Sequence, residues 1–202
     1  IDNTFASRAV SNGVLVPYRS PAEGTSAARF DLDSSKNLTP IDYGDVCVNV
    51  DHGWFTKAGI AEPATLADLA KPAYKNLRAV ENPATSSPGL AFLLATIGAF
   101  GADGYQTYWT HLKDNGVKID AGWTDAYTVD FSGSSGKGPR PLVVSYASSQ
   151  PDAGTAASTA DPPGRPLDTA PRRGSCAEVR AGADGGASDT GSHDRQARAQ
   201  LD

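Results

Sequence analysis

Short apolar runs, each closed by polar or turn-forming residues, divide the first 150 residues of the chain into candidate strands. In YGDVCVNVD (43–51), Val and Cys alternate with polar residues, as in a strand with one buried face. In PLVVSYASS (141–149) the apolar residues are consecutive, which indicates a strand buried on both faces. The other predicted strands are NGVLVPYRS (12–20), LRAVEN (77–82) and VKIDAGW (117–123).

Segments with helical spacing of apolar residues separate these strands. ATLADLAKPAY (64–74) has its leucines on one face behind a Thr65 cap, and Pro72 is expected to end this helix. Further helices are predicted at 90–100, 103–115 and 124–131. Strands that alternate with helices predict an open, largely parallel α/β sheet. Ligands of such sheets bind at the carboxyl ends of the strands.

The composition limits the classes of function. The chain has 202 residues, of which 39% are apolar, and a formal net charge of −5. These values are ordinary for a globular protein with a substantial core. A nucleic-acid partner is not expected, because Lys and Arg form no basic cluster along the sequence. No run approaches the roughly 18 apolar residues of a membrane-spanning helix.

The composition changes near residue 151. All sixteen aromatic residues lie at or before Tyr146, and residues 152–202 contain few large aliphatic side chains. Because so little apolar surface cannot offset the entropy of ordering a chain, residues 151–202 are predicted to be a disordered, low-complexity tail. One hypothesis is that this tail is an out-of-frame translation of a GC-rich gene.

The tetrapeptide Ser86-Ser87-Pro88-Gly89 stands directly before the apolar run of the helix predicted at 90–100. A serine before the first turn accepts a main-chain N–H, and proline fits the first helical position because it has no N–H to satisfy. The hydroxyls, the exposed N–H groups and the helix dipole together suit an anion. The alternative is an ordinary helix cap with no ligand.

Three other segments offer aromatic or polar groups at predicted strand ends or at a helix start. Trp123 lies at a strand-to-helix junction, Tyr146 is followed by Ser148 and Ser149 at the end of a strand, and Asp2 precedes a plausible helix. Aromatic faces attract organic cations, and a carboxylate adds charge-assisted hydrogen bonds. The set suits a flat cationic heterocycle with a hydroxyl or phosphate. Each residue alone is more often structural, as a core aromatic, a strand residue or a cap.

Catalytic and metal chemistry have no candidate in the sequence. The loop FSGSSGKGPRP (131–141) does not fit the Walker pattern, because Phe131 stands at the first glycine position and Gly138 follows Lys137. This loop is interpreted as a flexible connector. The three histidines are scattered, so no metal site is expected, and no serine lies in a G-x-S-x-G motif. An enzyme is therefore not predicted.

With these segments in hand, the chain resembles the thiamine-binding subunits of bacterial ABC importers, which are periplasmic-type solute-binding proteins. The matching segments are IDNTF (1–5), VPY (16–18), DYGDVCVNVD (42–51), ENPATSSPGLAFLLATI (81–97), AGWTDAY (121–127), FSGSSGKGPRP (131–141) and VVSYASS (143–149). The combination of ATSSPG, GW-x-x-AY and SYASS is far more specific than any one motif.

The resemblance implies a type II periplasmic-binding-protein-like fold. Such a fold has two α/β lobes with mostly parallel sheets, joined by crossing strands and closing on a ligand. The first lobe is expected to be incomplete here, because the family's segment upstream of IDNTF is absent from this sequence and nothing beyond residue 151 matches. We expect residues 1–51 to form a remnant of the first lobe plus a crossing strand, and residues 52–150 to form the second lobe.

The resemblance also implies a set of ligand-binding positions. These are Ile1, Asp2, Ser86, Ser87, Trp123, Tyr146, Ala147, Ser148 and Ser149. By this match, Ile1 and Asp2 meet an aminopyrimidine, and the two serines of the helix start face a hydroxyethyl or phosphate end. Trp123 stacks on the ligand, and 146–149 form a ligand loop. Tyr18 and Trp54 are weaker candidates.

The resemblance implies that the protein captures thiamine or its phosphates outside the cytoplasmic membrane for an ABC permease. Thiamine is then the transported ligand, with no resident cofactor, and the protein is expected to be a monomer in the periplasm or on the outer face of the membrane. Two alternatives stay open. One is a binding protein for another small solute, such as a polyamine or an iron–anion complex, and the other is an enzyme that shares the two-lobe fold.

Overall fold

The computed structural model describes residues 1–18, 37–39, 45–134, 137–149 and 156–158. In these ranges a five-stranded sheet is flanked by helices. The strands are β1 (Val46–Asp51), β2 (Arg78–Glu81), β3 (Lys118–Asp120), β4 (Leu142–Tyr146) and β5 (Ala156–Ser158). The α-helices are α1 (Asn3–Ser11), α2 (His52–Ala58) and α3 (Ser87–Asp114).

The strands lie side by side in the order β3-β2-β4-β1-β5. β2 pairs in parallel with β3 and β4, whereas β1 is antiparallel to both β4 and β5. All strands but β1 therefore point the same way, which confirms the predicted α/β sheet with mostly parallel strands. The carboxyl ends of β3, β2 and β4 meet at one edge of the sheet. The amino end of β1 lies at this edge too, because Val46 pairs with Tyr146.

Alternation along the strands gives the sheet two buried faces. One face carries Val80 and Val144 and packs with Phe55 and Leu112 in the larger apolar core. The other face packs a smaller cluster, composed of Ala79, Ala126, Tyr127, Phe131 and Val143, with Trp123 against it. Covering on both faces explains why every residue of β2 and most of β4 are buried, as the consecutive apolar run of β4 predicted.

Helix α3 begins where the sequence predicted and continues further than expected. Ser86 is its N-cap, and Pro88 stands in the first turn. The predicted helices 90–100 and 103–115 are joined into one element with a single non-helical residue, Gly101, at φ 74° and ψ 171°. This backbone region is open essentially to glycine alone, so Gly101 marks the bend between the two predicted helices.

Several predicted elements differ from the structure. In the strand predicted at 12–20, residues 12–13 form a turn, residues 14–18 have no regular secondary structure, and Val14 and Val16 are exposed. The helix predicted at 64–74 is replaced by two short 3-10 helices, Asp68–Ala70 and Pro72–Tyr74. The reason is Lys71, which is extended at ψ 146°, because proline disfavours a helical residue before it.

The helix predicted at 124–131 is a π-helix, Asp125–Asp130. Strand β5 lies inside the segment 151–202, for which the sequence predicts a disordered tail, and its residues 156–158 pair with β1. The rest of the predicted tail and Gln150 lie outside the described residues.

The edge of the sheet opposite the strands' carboxyl ends is held by two arginines. Arg140 donates from one guanidinium nitrogen to the carbonyls of Asn76, Arg78 and Gly116, at 3.0, 2.9 and 3.0 Å. The buried Arg78 side chain donates to the carbonyl of Leu69 and, at 3.4 Å, to that of Leu112. These bonds tie β2 to the loops around it and leave the carboxyl edge free of this bracing. None of the helices in the described ranges has the length and apolar character needed to cross a membrane.

Candidate functional site

The sheet brings together polar and aromatic residues that are far apart in sequence. Because β3, β2 and β4 are adjacent and parallel, the residues that follow them lie along one edge. We call this group the strand-end cluster, and its members are Ser86, Ser87, Trp123, Ser145, Tyr146 and Ser149. It contains most of the binding residues predicted from the sequence.

Trp123 is held in one orientation by its neighbours. Its indole Nε1 donates to the Ser145 hydroxyl at 2.8 Å. One face of the indole stacks on Tyr127, with ring centroids 4.8 Å apart and planes 12° apart. Trp123 is half-buried and Tyr127 covers one face of its indole, which leaves the opposite face as the candidate surface for a flat ligand. The indole is therefore a fixed platform at the end of β3.

A short hydrogen-bond chain connects the platform to the end of β4. The Ser145 and Ser149 hydroxyls are 3.0 Å apart, and the Tyr127 hydroxyl donates to the Ser149 carbonyl at 2.7 Å. Sequence reasoning missed Ser145 and Tyr127. The alternation of β4 could have found Ser145, because this serine lies on the same face as Val143, the face that Trp123 covers.

The Ser-Ser-Pro-Gly stretch has a dense local structure. Ser86 is buried, and its hydroxyl accepts the Gly89 N–H at 3.5 Å as the N-cap of α3. A Cβ added at Gly89 would collide with the main-chain oxygen of Glu81, so only glycine allows the helix to start this close to the end of β2. Ser87 is half-buried, and its hydroxyl and N–H lie outside the capping interaction.

The loops after β2 and β3 are tied to each other. The Thr85 hydroxyl donates to the Ala121 carbonyl at 2.6 Å, and the Asn82 N–H donates to the Asp120 carbonyl at 2.8 Å. These bonds fix the helix start of α3 relative to the segment that carries Trp123. The hydroxyl groups of the helix start and the indole platform are thus parts of one rigid edge.

Asp2 stands at the start of α1 without capping it. Its backbone is extended at the N-cap position, but its side chain makes no cap hydrogen bond. Burial, the Asp2 charge and the Glu81 charge together raise the pKa of Tyr146 to about 12. The Asp2 carboxylate therefore lies near enough to the Tyr146 phenol to act on it. Ile1 is 76% exposed.

The remaining residues of the predicted ligand loop, Ala147 to Ser149, form a 3-10 helix. The Ala147 N–H donates to the Asp45 carbonyl at 2.9 Å, which fixes the loop against the residue before β1. Ser148 is exposed and Ser149 is buried. Only Ser148 therefore presents its side chain freely to solvent.

The two weaker aromatic candidates do not join the cluster. Trp54 packs edge-on against Phe55 in the larger core. It follows β1, and because β1 runs antiparallel to its neighbour, its carboxyl end lies at the opposite edge of the sheet. Tyr18 is 65% exposed in the unpaired segment after α1. The described residues of the loop 131–141, which are 131–134 and 137–141, also lie at the opposite edge, where Ser132 donates to Asp51 at 2.6 Å.

A residue outside the sequence-based set, Glu81, ends β2 directly below this edge. It is fully buried, and neither carboxyl oxygen has a hydrogen-bond partner among the described residues. Burial, opposed by its own N–H and aided by the nearby Asp120 charge, raises the pKa of Glu81 to about 8. No sequence pattern marked Glu81, because an acidic residue at the end of a strand is usually exposed.

The arrangement can hold a flat organic cation by its rings and a polar group by its far end. The indole face offers aromatic surface, the half-buried Tyr146 ends β4 at the same edge of the sheet, and Asp2 adds an acidic group there. Hydroxyls and main-chain donors stand at the helix start. Among the residues with described positions, no three His, Cys, Asp or Glu side chains are grouped to hold a metal ion.

The carboxyl edge of parallel strands is the usual ligand site of open α/β sheets. The family model of the bacterial extracellular solute-binding protein matches residues 1–157. The chain therefore belongs to this family.

Individual relatives give the same class. The chain is 31% identical over 112 residues to the thiamine-binding periplasmic protein of Brucella abortus, covering 52% of this chain and 31% of the relative. It is 28% identical over 153 residues to the protein of that name from Escherichia coli, covering 74% of this chain and 42% of the relative. The chain thus spans less than half the length of these relatives.

A solved structure of a periplasmic thiamin binding protein has a similar fold. It matches with a TM-score of 0.58 and 23% sequence identity, over 78% of this chain and 48% of that chain. At this level of identity the match establishes the fold, and it agrees with the type II periplasmic-binding-protein-like architecture predicted from the sequence.

Proposed function

We propose that this chain captures thiamine or a thiamine phosphate outside the cytoplasmic membrane and delivers it to an ABC permease. The observation that carries the proposal is the half-buried Trp123, which Ser145 and Tyr127 hold in one orientation at the edge where β3, β2 and β4 end. The names of the relatives from Brucella abortus and Escherichia coli support thiamine as the ligand and the periplasm as the location.

The cationic thiazolium and the aminopyrimidine of thiamine fit the aromatic part of the strand-end cluster. A cation over an indole face contributes about 0.5 to 2 kcal/mol, depending on how much water is excluded. Because Trp123 is already oriented by Ser145 and Tyr127, little conformational freedom is lost when a ring stacks on its open face. Asp2 is a candidate partner for the pyrimidine amino group, through a charge-assisted hydrogen bond.

The helix start of α3 fits the other end of the ligand. Ser87 offers a hydroxyl and a main-chain N–H that the cap does not use, and the helix dipole favours a negative group there. A hydroxyethyl group would use the hydrogen bonds alone. A phosphate would use both the hydrogen bonds and the dipole, so this end of the site is where phosphorylation of the ligand is sensed.

In this proposal the protein performs no reaction, and thiamine is cargo. Recognition instead depends on closing aromatic, hydroxyl and carboxylate groups around a bound cation. A monomer is sufficient for this role, because the cluster is built from one chain.

The test is a calorimetric titration of the 202-residue chain with thiamine, thiamine monophosphate, spermidine and ferric citrate. We expect saturable binding of thiamine compounds at one site per chain and much weaker binding of spermidine and ferric citrate. Preferred binding of spermidine or ferric citrate would favour another small solute. Chemical turnover of thiamine in the same mixture would favour an enzyme that shares this fold.

A further inference from the structure

Glu81 occupies a special position in the sheet. In β2 it lies two residues after Ala79, and alternation therefore turns both side chains to the face that carries Trp123 and Tyr127. β2 and β4 are parallel, with Ala79 opposite Val143. Two residues further along the same two strands come Glu81 and Ser145, so alternation turns both toward the face of Trp123, whose indole donates to the Ser145 hydroxyl.

The charged groups around Glu81 do not neutralise it. Asp120 is its direct partner on β3, and Asp2 and Tyr146 act on the same edge. Each of these three side chains is either negatively charged or neutral, so none of them supplies a positive charge to Glu81.

The neighbouring bases are engaged elsewhere. Lys118 pairs with Asp120 at 2.5 Å and with Asp130 at 2.9 Å. Arg78, an odd number of residues earlier on β2, faces the other side of the sheet and donates to the carbonyls of Leu69 and Leu112. Within the described part of the chain, Glu81 is thus a buried acid with no hydrogen-bond partner and no cation beside it.

We propose that Glu81 is the counter-charge of the ligand's cationic ring, protonated in the free protein and giving up its proton to solvent when the cation binds. This inference rests on the proposed function and adds a residue and a proton to it. A buried carboxyl group without partners stays protonated, because burying its neutral form costs far less free energy than burying its charged form. When a positive charge enters the same low-dielectric region, the ionised form becomes favourable. The ring that stacks on the open face of Trp123 brings that charge.

Coupling of this kind has a measurable consequence. Burial raises the pKa of Glu81 to about 8 in the free protein. At neutral pH, most protein molecules therefore carry a proton on Glu81. Binding of a cation lowers this pKa, so about one proton leaves per ligand near pH 7, and fewer leave as the pH rises above 8. By reciprocity, the affinity for thiamine increases as pH rises through this range.

The experiment is calorimetric titration with thiamine near pH 7, in two buffers with different ionisation enthalpies, phosphate and Tris. The difference in heat gives the number of protons released per ligand. We expect about one proton from the wild type. The same titration with a thiophene analogue of thiamine, which has no ring charge, should release none.

The variant Glu81→Gln keeps the shape of the side chain but cannot ionise. We expect it to bind thiamine about tenfold more weakly and to release no proton. The matched control is Asp114→Asn, at the far end of the 28-residue helix α3, which also removes one carboxylate. This control should release a proton as the wild type does.

Two outcomes separate the hypotheses. A wild type that binds thiamine without proton release, or a Glu81→Gln variant with unchanged release, overturns the role of Glu81 and leaves the proposed function intact. A wild type that binds no thiamine compound overturns the proposed function, and the role of Glu81 with it. Because the wild-type proton count needs no variant, the test stands even if Glu81→Gln fails to fold.

Discussion

Glu81 combines two features that rarely occur together, complete burial and an ionisable group with no hydrogen-bond partner in the described structure. Burial raises its pKa from the ordinary value of 4.5 to about 8. The folded state therefore holds this proton more tightly than the unfolded state does. By linkage, Glu81 favours folding most below about pH 4.5, and its contribution is lost as the pH rises toward 8.

The variant Glu81→Gln should remove this part of the pH dependence. We expect the free energy of unfolding of the ligand-free wild type to decrease between about pH 5 and about pH 8, relative to that of the variant. Near pH 5 the two proteins should differ little, and near pH 8 the variant should be the more stable one. Denaturant unfolding at both pH values checks this. Parallel pH profiles would contradict the assigned ionisation.

The adjacent serines Ser86 and Ser87 should have separable effects. Ser86→Ala removes the cap hydrogen bond to Gly89 and should lower stability by about 0.5 to 2 kcal/mol. Ser87→Ala should change stability by less than about 0.5 kcal/mol. It should, however, weaken the binding of thiamine monophosphate about tenfold and the binding of thiamine much less. The reason is that a hydrogen bond to a charged phosphate is stronger than one to a neutral hydroxyl.

Chemical denaturation and calorimetric titration of both variants measure these effects. Equal losses for thiamine and its monophosphate in Ser87→Ala would mean that this serine does not face the phosphate end.

At the scale of elements, helix α3 depends on how closely it approaches strand β2. Gly89 lies against the main-chain oxygen of Glu81, whereas a Cβ at Gly98, in the same helix, would meet nothing within 4 Å. Gly89→Ala should therefore destabilise the protein by about 1 to 3 kcal/mol through forced displacement of the helix. Gly98→Ala is the matched control and should stabilise it by about 0.5 to 1 kcal/mol.

Thermal and denaturant unfolding of both variants give the comparison. If Gly89→Ala were as stable as the wild type, the close contact between helix and strand would be absent in solution.

The sequence predicted local elements well where one residue type determined the outcome. Pro88 and the serine before it located the helix start, and the consecutive apolar residues of β4 predicted its burial on both faces. The sequence pattern predicted the wrong element where tertiary packing or an adjacent residue determined the conformation. The apolar residues at Val14 and Val16 predicted a strand, but no strand pairing forms there. The leucines of 64–74 predicted an α-helix, but Pro72 holds Lys71 in an extended conformation.

At the scale of the whole molecule, the site depends on strand order, which a periodic pattern does not encode. The sequence predicted that strand ends carry the ligand but not which of them share an edge. Trp54, a weaker candidate implied by the family resemblance, lies at the other edge because β1 is antiparallel to its neighbour. Glu81 was missed because its burial arises only when β2 lies between β3 and β4 in a sheet that is covered on both faces.

The central claim is that the face of Trp123 turned away from Tyr127 receives the cationic ring of thiamine. The direct measurement is a tryptophan-fluorescence titration of the wild type, Trp123→Phe and the control Trp54→Phe, whose indole lies at the opposite edge. We expect thiamine to quench the wild type and Trp54→Phe alike. Trp123→Phe should lose most of the quench and bind about three- to thirtyfold more weakly. An unchanged quench and affinity in Trp123→Phe would contradict the account.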